Sequence, residues 1–176
     1  MHNEDELTFG VVPISTPTRD RAKKFTFTDD QTKAYNGLIK FINEPYNPND
    51  FKRALIGPGG VGKTFLLKAL IQDCNIPFSE IGLSAPSHKA CRVLRNSIKG
   101  THCNVNTIQS DFGFKPNYDI EKFDINNVTF ASYGRIKIED YRLYIVDESS
   151  MLNRSLVTYI DKMMKKYSIK LILCGK

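Results

Sequence analysis

The chain has 176 residues, of which 41% are hydrophobic, and this length fits one ordinary domain with its own core rather than two full domains. The formal charge of +6 arises from 25 basic and 19 acidic residues spread along the chain, so it favours a polyanionic partner only mildly. No apolar run approaches the roughly 20 residues of a membrane-spanning helix, so we expect no membrane-spanning segment in this sequence.

Cysteine usage indicates a reducing compartment. The four cysteines form no CxxC pair, and no secretory leader is recognisable at the start of the chain. We therefore expect free thiols and a cytoplasmic location. The cysteines are Cys74, Cys91, Cys103 and Cys174.

The first 24 residues show neither a helical nor a strand period, so we expect residues 1–24 to be a flexible tail. A helix is predicted to begin after Thr28, whose side chain can cap it, with Gln31 completing a capping box. Apolar strands then alternate with amphipathic helices, which predicts an α/β fold with a parallel sheet covered by helices on both faces. The strands are RALIG, EIGLSA, RLYIVD and IKLILC, and the helices are residues 63–74, 87–98 and 153–166.

Residues 113–141 interrupt this alternation. They are rich in Phe, Tyr and Asn and contain short β-like runs such as NVTFASY and RIKI. We interpret them as a small β-rich insertion, so the body of the fold would consist of residues 25–112 and 142–176.

The stretch LIGPGGVGKTFLLKAL matches the phosphate-loop pattern G-x-x-x-x-G-K-[ST], with a predicted strand before it and a helix after it. Only glycine lets backbone N–H groups close around phosphates, and the helix N-terminus adds positive potential. Lys63 is expected on the β- and γ-phosphates, and the Thr64 hydroxyl on Mg²⁺. The predicted nucleotide-binding residues here are Gly57, Pro58, Gly59, Gly60, Val61, Gly62, Lys63, Thr64 and Phe65.

The stretch RLYIVDESSML places two carboxylates at the end of a strand. Asp147 is predicted to bind Mg²⁺ with Thr64, and Glu148 suits a general base for an attacking water, which favours hydrolysis. In isolation the pair could equally cap the following turn. Guanine-binding motifs are absent, and residues 113–141 contain only Arg135 where small-molecule kinases carry an arginine-rich lid. The predicted catalytic residues are Lys63, Asp147 and Glu148.

The order FTDDQ, GPGGVGKT, SAPSHKACRVL, NTIQS, YIVDESSML and LILCGK over residues 25–176 resembles the N-terminal RecA-like motor domain of superfamily 1 DNA helicases, in the group of phage Dda and bacterial RecD. The resemblance implies a P-loop NTPase fold, ATP and Mg²⁺ as cofactors, and single-stranded DNA as partner. It also implies that hydrolysis drives translocation and unwinding, and that Gln31 contacts adenine. The location would be the cytoplasm of a bacterium or of a phage-infected host.

The same resemblance implies DNA contacts in two loops and a strand-separating element in the insertion. Ser87 could equally be a simple helix cap, and Gln109 stands where the family usually has histidine. An exposed aromatic ring of the insertion could stack on a base, although most must fill its core. The predicted DNA contacts are Pro86, Ser87, His88, Lys89, Thr107, Gln109 and Ser110, and the aromatic candidates are Phe112, Phe114, Tyr118, Phe123, Phe130 and Tyr133.

The last motif departs from the family, because Lys176 follows Gly175 where an aspartate is usual. We expect the chain to be a fragment whose second RecA-like domain, with the arginines that complete catalysis, lies in the rest of a longer protein. Replication or repair proteins are possible further partners. Two alternatives stay open: a non-helicase P-loop ATPase or small-molecule kinase, and an ATP-switched DNA-binding module without motor activity.

Overall fold

A computed structural model describes residues 25–60 and 62–176, so the predicted tail lies outside the described residues. The predicted strands, and the predicted helices after the first, are found within one residue of their expected ends. A strand over Asn104–Thr107 and the short helices Ile108–Asp111 and Val128–Ala131 were not predicted. Within these residues no helix is long and apolar enough to cross a membrane. The elements are α1 Asp29–Asn43, β1 Lys52–Ile56, α2 Lys63–Asp73, β2 Ile81–Ala85, α3 His88–Ser97, β3 Asn104–Thr107, α4 Ile108–Asp111, α5 Val128–Ala131, β4 Leu143–Val146, α6 Arg154–Tyr167 and β5 Lys170–Gly175.

The five strands form one parallel sheet in the order β1-β5-β4-β2-β3. Ile56 at the end of β1 pairs with Gly175 at the end of β5, and Val146 at the end of β4 pairs with Leu173. Chain connections therefore leave β1, β4 and β5 at neighbouring points of the carboxyl edge, where open α/β sheets bind ligands.

Helices cover both faces of the sheet, and each face has its own apolar core. On one face α1, α2 and α3 pack against side chains such as Leu83 and Ile145. On the other face α6 and part of residues 113–141 pack against Tyr144 and Leu171. The strands contribute mainly apolar side chains to both cores, as expected for strands buried on both sides. The predicted fold class, an α/β P-loop NTPase fold of the RecA-like type, is confirmed.

Helix α1 begins as its sequence predicts. The Gln31 backbone N–H donates to Thr28 Oγ1 at 3.3 Å, and the Thr28 backbone N–H donates to Gln31 Oε1 at 3.0 Å. This reciprocal pair satisfies two amide groups that a helix N-terminus otherwise leaves without partners. The capping box also fixes the Gln31 side chain at the edge of the fold where the phosphate loop lies.

The prediction of β structure in residues 113–141 was wrong. Two 3-10 turns and α5 occupy this segment, and its β content is a single isolated bridge between Phe114 and Ser132. The run NVTFASY contains α5, because its preceding turn is capped by Asp124, whose carboxylate accepts from Asn126 and Asn127. The apolar side chains of the segment pack against α6 rather than across a hairpin, with ring centroids of Phe123 and Tyr159 5.2 Å apart.

A buried polar cluster joins α4, the sheet and the start of the insertion. The Asp111 carboxylate is completely buried and accepts hydrogen bonds from Asn106 Nδ2 at 2.9 Å and from Tyr144 OH at 2.8 Å. Burial raises the pKa of Asp111 to about 6, although the two hydrogen bonds and the nearby Lys137 ammonium favour the charged form. The Asp111 carboxylate therefore has hydrogen-bond partners, but its burial still makes ionisation less favourable than in water.

This carboxyl makes stability depend on pH. Between the ordinary aspartate pKa and about 6, the folded chain keeps a proton that the unfolded chain has lost, so the stabilising contribution is lost as pH rises through about 6. Asp111→Asn removes this titration. Relative to wild type, the free energy of unfolding of the variant should rise by roughly 3 kcal/mol between about pH 4 and pH 7. Urea unfolding across this pH range measures the difference.

A control is Asp124→Asn in the inserted segment. Hydrogen bonds from the Asn126 backbone N–H and the Asn127 side chain lower the pKa of Asp124, so its pH-dependent difference should have the opposite sign. A difference between wild type and Asp111→Asn that stays constant over this pH range would contradict the assignment.

Candidate nucleotide site and DNA interface

The phosphate loop connects β1 to α2 and is shaped by two glycines in the left-handed region. Gly60 has φ +82° and Gly62 has φ +80°, a region that residues with a Cβ rarely adopt. A Cβ at position 62 would also lie 2.7 Å from Gln31 Nε2, so any other residue there would displace the Gln31 amide. Val61 lies outside the described residues.

The beginning and the end of the loop are held by hydrogen bonds. The Gly57 backbone N–H donates to the Gly175 carbonyl at 3.2 Å, which continues the pairing of β1 with β5. Lys63 Nζ donates to the carbonyls of Gly57 at 2.6 Å and Pro58 at 2.9 Å, so the ammonium spans the loop that it follows. An ammonium, glycine amides and a helix N-terminus at one place form a chemically suitable site for phosphates.

Two carboxylates follow β4 beside this loop. The Asp147 backbone N–H donates to the Ser84 carbonyl at 2.9 Å, and Asp147 Oδ1 accepts from the Glu148 N–H at 2.9 Å. Burial raises the pKa of Asp147, the Glu148 N–H and Lys63 lower it, and Glu148 raises it. Positive charge at this position would offset the cost of burial and keep Asp147 ionised.

Glu148 has a left-handed backbone, with φ 53° and ψ 35°. Such a conformation costs a non-glycine residue about 1–3 kcal/mol and occurs often at functional sites. The turn after Glu148 packs tightly against the end of β5, since a Cβ at Gly175 would lie 3.1 Å from Ser149 Oγ. The surroundings therefore fix the sharp turn that separates Glu148 from the strand.

One cleft of about 340 Å³ brings the predicted phosphate, metal and catalytic residues together. The Thr64 hydroxyl and the Asp147 carboxylate supply oxygen ligands of the kind that Mg²⁺ prefers, so these residues fit that ion. Gly175 and Lys176 also line the cleft, and their roles were not predicted. The lining residues are Gly59, Gly60, Gly62, Lys63, Thr64, Asp147, Glu148, Gly175 and Lys176.

Four predicted nucleotide-binding residues that the structure describes do not line this cleft: Gln31, Gly57, Pro58 and Phe65. Gln31 contacts the loop at Gly62 while it serves the capping box, so both predicted roles are compatible with its position. Phe65 is 42% exposed and packs edge-on against Phe25 and Phe27, with ring centroids 5.1 and 5.7 Å away. Gln31 and Phe65 place an amide and an aromatic surface next to the phosphate loop.

A second cleft, of about 360 Å³, collects the predicted DNA contacts at the same edge of the sheet. Lys89 is the one predicted contact that does not line it. We call it the DNA cleft, and residues 113–137 form its other wall. The predicted contacts in the lining are Pro86, Ser87, His88, Thr107, Gln109 and Ser110, and the further lining residues are Gly113, Phe114, Pro116, Asn117, Tyr133, Gly134, Arg135 and Lys137.

Several predicted DNA contacts also have structural roles. Ser87 Oγ accepts from the Ala90 N–H at 3.2 Å and Thr107 Oγ1 from the Ser110 N–H at 3.2 Å, so both cap helices. Gln109 Nε2 donates to the Tyr118 carbonyl at 3.1 Å, whereas its buried Oε1 has no hydrogen-bond partner among the described residues. Ser87 is therefore a helix cap, as the alternative interpretation held, and it also lines the cleft.

The far wall of the DNA cleft carries cations and an exposed ring. Gly113 has φ +67°, and its carbonyl accepts from the N–H groups of Tyr133 and Gly134 at 2.8 and 2.9 Å. This closure places Tyr133, which is 74% exposed, beside Arg135 and Lys137. Sequence reasoning named Tyr133 among six aromatic candidates but did not assign Arg135 or Lys137 to the site, because their position depends on the Gly113 closure between residues far apart in the chain.

The aromatic candidates differ in their exposure to solvent. Phe130 and Tyr133 are largely exposed, whereas Tyr118 is half-buried. Phe112, Phe114 and Phe123 are buried in the core beside α6, as expected for most of the set. The exposed rings lie near the end of the inserted segment, so only that end presents an aromatic surface.

Comparison with known proteins agrees with this geometry. The model of an AAA domain family, AAA_30, matches residues 40–176. "Uncharacterized protein R530" of Acanthamoeba polyphaga mimivirus is 28% identical over 167 residues, covering 85% of this chain and 32% of the relative. The chain thus spans about a third of the length of this relative. Since the family match covers most of the chain, including the phosphate loop and both carboxylates, the chain belongs to the AAA domain family of P-loop NTPases.

Proposed function

We propose that this chain is the ATP-binding motor domain of a DNA helicase, which couples ATP hydrolysis to movement along single-stranded DNA. One observation carries the proposal. The DNA cleft, lined by residues of two separate loops and by the cations Arg135 and Lys137, opens at the same sheet edge as the nucleotide cleft. A kinase for small molecules would need an acceptor site next to the phosphates, whereas these clefts have separate linings.

The nucleotide cleft supplies the parts that ATP hydrolysis requires. The phosphate loop and Lys63 would bind the phosphates, while Thr64 and Asp147 would hold Mg²⁺. Bound Mg²⁺ would neutralise charge on the phosphates. Glu148, fixed by its left-handed turn, would orient a water and accept its proton.

The DNA cleft has the chemistry of a single-strand site. Arg135 and Lys137 would neutralise phosphates, and the exposed Tyr133 ring offers a stacking surface for a base, which contributes about 1–3 kcal/mol. Lys137 Nζ already donates to Ser110 Oγ at 2.9 Å, so a cation lies beside a predicted contact. His88 adds a polar side chain on the opposite wall.

The whole activity would need more than this chain. A second RecA-like domain would contribute the arginine that stabilises the transition state, a group worth about 10³–10⁵ in rate. We therefore propose that the chain alone binds nucleotide and hydrolyses it feebly. Replication or repair proteins are proposed as partners of the full-length protein.

The first expected outcome concerns coupling to DNA. If the two clefts serve one motor, single-stranded DNA should raise the ATPase rate of the full-length protein at least tenfold. Duplex DNA of equal length is the control and should stimulate less. An ATPase rate unaffected by single-stranded DNA would favour a P-loop enzyme that is not a helicase.

The second concerns the proposed base. Glu148→Gln keeps the size of the side chain but removes the proton acceptor, so hydrolysis by the full-length protein should fall at least a hundredfold. ATP affinity, measured by equilibrium binding, should change less than threefold. A variant that hydrolyses ATP normally would favour an ATP-switched binding module, in which hydrolysis serves no motor.

The third concerns the adenine contact. Gln31→Glu retains an acceptor for the Thr28 N–H, and hence the capping box, but removes the amide donor beside the loop. The ratio of ATP to GTP affinity should fall about 2- to 10-fold, the size of one lost hydrogen bond. The ratio of affinities is measured because the new carboxylate repels the phosphates of both nucleotides and so weakens the binding of ATP and GTP alike. An unchanged ratio would leave Gln31 with its capping role alone.

A further inference from the structure

We infer that the solvent-facing side of α3 is a second contact surface for single-stranded DNA and holds the phosphate backbone of the strand as it leaves the DNA cleft. This surface, the basic face, consists of Lys89, Arg92 and Arg95 of α3 and of Lys99, which lies in the turn just after the helix. Only Lys89 was predicted as a contact. The inference rests on the proposed function. It adds three residues to the predicted DNA contacts and gives the direction in which the strand leaves the DNA cleft.

The basic face is a concentration of unbalanced charge. Residues 87–101 contain four basic side chains and no acidic one, and all four are exposed. In the described residues no carboxylate lies within 4 Å of the charged nitrogens of Lys89, Arg92 or Lys99, since the ion pairs there join other residues. Some basic residues elsewhere in the described part of the chain are paired with carboxylates, as Lys52 is with Asp161.

This arrangement is unfavourable for the helix itself. Lys89 and Arg92, like Arg92 and Arg95, are three residues apart on α3, so like charges are neighbours along one side of the helix, and Lys99 adds another cation just after its end. Lys89 also places a cation in the first turn, where a helix favours acidic side chains. A helix that breaks both rules on an exposed face points to an external anion that compensates for the repulsion.

The position of α3 links this face to the DNA cleft. Ser87 and His88, at the start of α3, line the cleft, and the ten residues of the helix extend about 15 Å from there. Arg95 is fixed in place, because its guanidinium donates to the Val105 carbonyl of β3 at 2.7 Å. β3 is the last strand of the sheet on this side, so the face is open to a ligand.

A nucleic-acid strand is the occupant that these features favour. Phosphates at regular spacing complement a row of cations, and a strand bound in the cleft is already held at the first turn of α3. Val93, between the cations, is 60% exposed and offers a small apolar contact for a sugar or base. An acidic protein would match the charge but not the continuity with the cleft.

The test compares the salt dependence of DNA binding by the 176-residue chain and by Arg92→Ala/Lys99→Ala. Fluorescence anisotropy would use oligothymidylates of about 6 and about 16 nucleotides, which span the site sizes of single-strand-binding domains. With the longer strand, the slope of log K against log[salt] should be about 1.4 smaller for the variant, since each contact contributes about 0.7. Between 50 and 200 mM salt, wild-type affinity should then fall about sevenfold more than that of the variant. With the shorter strand the slopes should agree.

Two matched variants act as controls. Arg92→Lys/Lys99→Arg keeps both positive charges and should keep the wild-type slope. A wild-type slope would also show that substitution at these two positions leaves the chain folded. Lys162→Ala/Lys166→Ala removes two exposed cations of α6 on the opposite face of the sheet and should not change the slope either.

The outcomes separate this inference from the proposed function. If wild type binds the strand and Arg92→Ala/Lys99→Ala has the same slope, the basic face is overturned while the DNA cleft stands. An equal loss of slope in the α6 variant would also overturn it, as an effect of net charge. If wild type binds neither strand, the proposed function and this inference both fail.

Discussion

The pairing of β1 with β5 and of β5 with β4 is the constraint on which the site depends. Parallel register brings the ends of these strands to one edge, and the hydrogen bond from Gly57 to Gly175 extends the pairing into the phosphate loop. The loop after β1 and the carboxylates after β4 are about 90 residues apart in sequence but line one cleft. Without this register, Lys63 and Asp147 would be elements of two unrelated turns.

A second consequence of the same sheet is the neighbourhood of the two clefts. β4 lies between β5 and β2, and the Asp147 N–H donates to the Ser84 carbonyl of β2. Two residues after Ser84, the chain enters the DNA cleft at Pro86. A change in the position of Asp147 would therefore shift the loop that starts at Pro86, where the proposed DNA contacts begin. The change would be transmitted through hydrogen bonds of the sheet rather than through a mobile linker.

Much of this arrangement follows from sequence, and the reasons for the remainder are physical. The phosphate loop, the Thr28 and Gln31 capping box and the strand that ends at Asp147 depend on local patterns, and those patterns predict them. The inserted segment does not form the predicted β structure, because Asp124 and its neighbours form local turns and Phe123 packs against α6. Tyr133 and Arg135 enter the DNA cleft through the Gly113 closure, a contact between residues about 20 apart that no local pattern specifies.

If the chain is a motor domain, its nucleotide and DNA sites must influence one another. The most direct measurement is the affinity of the full-length protein for a single-stranded oligonucleotide, with and without a saturating ATP analogue that cannot be hydrolysed. The expected result is a change of about fivefold or more, with an equal change in analogue affinity when DNA saturates the protein, because coupling between sites is reciprocal. DNA affinity that is the same with and without the analogue, or an absence of DNA binding, would contradict the account.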